Sequence, residues 1–64
     1  MMWHVVYKKP TETVWRVDTL HDTKYDANRS AMCLCASAVD AGLPRDVAVV
    51  HRDDLHLYLG KDYL

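Results

Sequence analysis

The sequence has no glycine-rich loop. Gly42 and Gly60 are its only glycines and each stands alone, so no backbone cradle for a phosphate is present. No apolar run approaches the roughly 18 residues that a membrane span needs. There is no basic excess: eight Lys and Arg oppose nine Asp and Glu, for a net charge of −1. That balance argues against general electrostatic binding to nucleic acid, though not against a local patch. Glutamate is nearly missing. Glu12 is the only one, and the remaining acids are Asp, which favours turns and caps over helix interiors. The first ten residues, MMWHVVYKKP, have no basic stretch ahead of an apolar one. They therefore read as a strand rather than a signal peptide, and a cytoplasmic location with Cys33 and Cys35 reduced is expected.

The composition that is present is globular. Half of the 64 residues are hydrophobic and 27% are charged, so wholesale disorder is not expected. Residues 1–64 read as a single domain. A chain of this size buries only about 60% of the surface its unfolded form exposes, so the core is thin. A two-domain enzyme, a doubly wound nucleotide fold and a barrel are all too large for it.

Turn signals divide the chain into five elements. Trp3 to Lys8 alternates aromatic and β-branched residues and reads as a strand. Lys9-Pro10-Thr11-Glu12 reads as a turn, and Val14 to Leu20 as a second strand antiparallel to the first. Thr23 or Asp22 suits the cap of a helix running to about Ala41, with Asp26 completing a short capping box. Gly42 suits the left-handed residue that ends it, and Pro44 prevents continuation. At 100° per residue, Ala27, Ala31, Leu34, Ala38 and Ala41 share one face, with Cys35 at its edge as a small core residue. Cys33 points the opposite way, and Met32 with Val39 forms a lateral ridge. Asp46 to His51 reads as a third strand and Arg52-Asp53-Asp54 as a turn. Leu55 to Leu59 alternates leucine with His56 and Tyr58 and reads as a fourth strand. The expected fold is α+β, of order ββαββ: a four-stranded, mainly antiparallel sheet with one helix packed on one face. Its expected core is Val5, Trp15, Val17, Ala31, Leu34, Ala38, Leu55 and Leu57.

One helix leaves the second sheet face open. The alternation puts Val6, Val14 and Leu20 there, with His4, His56 and Tyr58. Val47 and Val49 join them, or Ala48 and Val50 do, depending on whether the last turn has two residues or three. Scattered apolar residues are normal on surfaces, but a contiguous apolar patch usually marks a partner. The expected partner-binding residues are therefore Val6, Val14, Leu20, His56 and Tyr58. A thin core also gains from association, so a homodimer is expected. Its two routes are face-to-face packing and pairing of an exposed edge at residues 14–20 or 55–59.

Catalytic and metal constellations are weak. Cys33 and Cys35 are two apart on a helix, which points them about 200° apart and away from a common ion. Neither lies at a helix N-terminus, where a thiol would be activated. His51 and His56 flank a turn. They read either as a metal-binding pair or, more simply, as two surface histidines. Asp53-Asp54 beside Arg52 reads as turn chemistry. No enzyme activity, cofactor or metal is expected. A small non-enzymatic protein-binding module, an inhibitor or adaptor that covers a partner's surface, is the expected function. The alternative is a nucleic-acid binder using Lys8, Lys9 and Arg16, with Arg29, Arg45 and stacking by Trp3 or Tyr58.

Several of these residues resemble a family of short bacterial and phage domains of unknown function, DUF2188. They are His4-Val5-Val6, Trp15-Arg16-Val17, Thr23-Lys24 ahead of Ala27 and Ala31, Gly42, and the run from Val47 to Leu59. The resemblance spans nearly the whole chain and implies the same ββαββ order. Asp53-Asp54 stands where the family usually has Asp-Gly, and Pro10 where its first turn usually has glycine. No activity is implied, because the family has none assigned.

Overall fold

The structure, a computed structural model, describes residues 1–63. Strand β1 is Trp3–Lys8, as the alternation predicts. The turn that follows is closed by the Glu12 N–H donating to the Lys9 carbonyl at 3.0 Å. Strand β2 covers Arg16–His21, so Val14 and Trp15 fall in the loop before it. Helix α1 covers Lys24–Asp40 and strand β3 Asp46–His51.

Both ends of α1 are closed by the expected chemistry. The Asp26 N–H donates to Thr23 Oγ1 at 3.2 Å, satisfying one of the free N–H groups of the first turn. At the other end Gly42 has φ +68°. The Leu43 N–H donates to the Ala38 carbonyl at 2.9 Å and the Gly42 N–H to that of Val39 at 3.0 Å. This is the Schellman pair of bonds, and it requires the left-handed residue that glycine adopts without a Cβ clash.

The sheet has three strands in the order β2-β1-β3, both pairings antiparallel. The expected fourth strand does not form. After a 3₁₀ turn at Arg52–Asp54, residues His56–Leu59 make a short helix, α2. The reason is the uncovered sheet face. A strand over 55–59 would turn its leucines toward α1 and leave Val6 exposed. As a helical turn the segment lies across that face instead. Leu55 and Leu59, four apart, point the same way. Leu55 joins Val6 and Val50 in the core cluster, with Trp15, Ala48 and Leu59 packed around it.

The molecule thus has three layers. On one side of the sheet α1 lays Ala27 and Ala38 near Val5, all buried, with Ala31 and Leu34 half-buried. A polar chain ties it to β2: Thr19 Oγ1 lies 3.0 Å from Ser30 Oγ and 2.8 Å from His21 Nε2. On the other side lies the C-terminal segment. Ala48 and Val50 face that segment, because they pair with Val6 and His4. Several expectations are corrected. Leu57 and Val17 belong to the surface rather than the core, Trp15 is only partly buried, and Cys35 and Ala41 are exposed. Val6 is fully buried, which removes it from any open face.

Candidate apolar cleft

The C-terminal segment covers only part of its sheet face. β2 lies outside the cover, and a bulge there, between the pairs Val5↔Thr19 and Val6↔Val17, leaves Asp18 as the extra residue. Val17 and Leu20 therefore stand on the same side as His4, facing solvent beside the C-terminal segment. With Met1, Arg52, Leu55 and Tyr63 they line an open cleft of about 460 Å³. Its walls are largely apolar. Val17, Leu20, Met1 and Tyr63 are each exposed by a third or more.

His4 forms part of the cleft. Its Nδ1 is buried without a hydrogen-bond partner among the described residues. Burial lowers its pKa below the ordinary histidine value, and the N-terminal ammonium, Arg52 and His51 act in the same direction. The neutral ring is thus favoured.

The five expected partner-binding residues do not share one site. Leu20 lies in the cleft. Val6 is beneath the C-terminal segment. Val14 is exposed in the loop before β2. His56 borders a smaller depression with Arg52, Asp53 and Tyr63. Tyr58 stacks edge-on against Trp15, ring centres 5.3 Å apart. The sequence reading missed Met1, Val17, Arg52 and Tyr63 as neighbours. Leu55 and Leu59 stand at helical spacing, but the same run fits a strand, so no local signal places Tyr63 over this face.

The basic residues are mostly engaged. Lys8 Nζ is 2.6 Å from the Asp46 carboxylate and 5.4 Å from the centre of the Trp15 ring. Lys9 lies 4.0 Å from Glu12. Arg45 sits over Tyr7, Arg29 over Tyr25 and Lys24 over Trp3. His51 Nδ1 accepts the Asp53 N–H at 3.1 Å, capping the 3₁₀ turn. Among the described residues no three His, Cys, Asp or Glu side chains converge on a point that would hold a metal ion. No helix among them is long and apolar enough to cross a membrane. No known protein family, no curated protein and no solved structure matches the chain.

Proposed function

We propose that this chain is a small, non-enzymatic protein-binding module, an inhibitor or adaptor that acts by covering a partner's surface. The cleft beside β2 is its binding face, and the partner is a cytoplasmic protein that presents an apolar side chain to it. The carrying observation is the exposed apolar group of Met1, Val17, Leu20 and Tyr63 on the uncovered part of the sheet face. A homodimer remains part of this reading, by a route other than the buried Val6. The resemblance to DUF2188 implies no activity, so the surface alone supports the reading.

Nucleic-acid binding is the weaker alternative. Lys8 and Lys9 lie against carboxylates, and Lys24, Arg29 and Arg45 lie over aromatic rings. The net charge of −1 also leaves no excess of cations to replace counterions on a phosphate backbone.

Affinity purification from the native host tests the reading, with Leu20→Asp as the paired bait. Leu20 is about half exposed, so the variant should stay folded. A protein captured by the wild type and lost with Leu20→Asp, at a level nearly unaffected by salt, is expected. Equal capture by both baits would overturn the cleft as the binding face. Binding to DNA or RNA that weakens steeply with salt would favour the alternative.

A further inference from the structure

The two edges of the sheet differ in kind. β2, at one edge, is broken by the bulge at Asp18 and carries Arg16 and Asp18. A bulge and alternating charges are how proteins prevent a second strand from adding to an edge. β3, at the other edge, reads Asp-Val-Ala-Val-Val-His, pairs with β1 without irregularity, and contains neither lysine nor proline.

Among the described residues, the β3 edge also has backbone groups without partners at known positions. The Arg52 N–H donates to the Met2 carbonyl at 2.7 Å, so Met2 and Arg52 form a hydrogen-bonded pair in line with the ladder. Alternation along an antiparallel pair then turns the N–H and C=O of Val50, Ala48 and Asp46 toward β1. Those of His51, Val49 and Val47 point away from the sheet. On each side of this edge stands an exposed apolar side chain. Met32 of α1 shares a groove with Ala31, Val47 and Val49. Leu57 of α2 borders a second groove with Val49, Val50 and His51.

We propose that β3 pairs antiparallel with β3 of a second copy, about a two-fold axis at Val49, to make a continuous six-stranded sheet. This deepens the dimer reading above and rests on it. The register follows from the hydrogen-bond pattern of this edge. Centring on Val49 puts Val47 opposite His51 of the second copy and Ala48 opposite Val50. Asp46, held by Lys8 of its own chain, then lies opposite Arg52 at both ends. Centring on Ala48 instead would leave Asp46 opposite Val50 and bring His51 opposite Arg45. The Val49 register also uses all three outward-facing residues of β3 in hydrogen-bonded pairs. The two α1 helices stand on the same side of the joined sheet. The two β1 strands would be three strand spacings apart, about 14 Å. That is too wide for the helix backbones to meet, and a Met32 from each copy fills the gap.

Sedimentation equilibrium at 10–200 micromolar (roughly the range where such an edge pairing is populated) should give twice the chain mass. Met32→Asp changes an exposed side chain, keeps the circular dichroism spectrum, and should weaken the dimer by at least about tenfold. In a Cys33→Ser, Cys35→Ser background, Val49→Cys should form an intermolecular disulfide on mild oxidation, because a hydrogen-bonded pair holds its Cα atoms about 5.5 Å apart. Ala48→Cys should not, since it faces Val50. A wild-type monomer throughout would overturn the dimer reading and this interface together. A wild-type dimer that survives Met32→Asp, or that crosslinks through Ala48→Cys and not Val49→Cys, would overturn this interface alone.

Discussion

Leu55 and Leu57 lie two residues apart and on opposite sides of the C-terminal segment. Leu55 is 5% exposed, against Val6 and Val50, while Leu57 is 71% exposed. The contrast sets their energetics. Leu55→Ala removes a buried side chain and leaves a cavity against two valines, at a cost of about 2–5 kcal/mol. In a domain this small, that is much of the total stability. Leu57→Ala should fall within about 0.5 kcal/mol of wild type. Urea unfolding of the two variants measures both. Equal losses at the two positions would mean that the segment is a strand.

Gly42→Ala tests the end of α1. A Cβ at Gly42 meets nothing within 4 Å, so the substitution is not opposed by crowding. Its φ of +68° is the only obstacle. The left-handed conformation costs a non-glycine residue about 1–2 kcal/mol, and a loss of that size is expected in chemical denaturation.

Thr23→Ala tests the start of the same helix. The hydroxyl accepts the Asp26 N–H, and losing it should cost about 1 kcal/mol. Thr23→Ser, which keeps the hydroxyl, should recover most of that loss.

His4 should make stability depend on pH. Its pKa is lowered in the folded protein, chiefly by burial, and returns to about 6.5 on unfolding. Below about pH 6.5 the unfolded chain takes up a proton that the folded chain resists. Stability should therefore be full above that pH and decline as the pH falls toward the folded-state pKa. His4→Phe should flatten this part of the profile relative to wild type. Parallel urea midpoints from pH 7 to 5 for the two proteins would show that His4 does not contribute.

Much of the architecture follows from short stretches of sequence. β1 and β3 are bounded as their β-branched runs predict, and the turn at Pro10 closes between Lys9 and Glu12. Thr23 and Gly42 mark the ends of α1, because cap chemistry acts over a few residues and can be read locally. The small-residue face of α1 is likewise periodic, and Ala27 and Ala38 are buried on it.

The sequence Leu-His-Leu-Tyr-Leu fits two periods at once. Leucines at 55, 57 and 59 satisfy a strand, and those at 55 and 59 alone satisfy a helical turn. Local pattern does not separate them. Tertiary structure decides, because Val6, Ala48 and Val50 need an apolar cover that α1, on the opposite face, cannot supply. That choice buries Val6, leaves the cleft at Leu20 open on that face, and leaves β3 at the edge of the sheet. The residues of the cleft come from the N-terminus, β2 and the C-terminal segment. Their meeting depends on which sheet face the chain's end lies across, a property of the packed whole rather than of any one stretch.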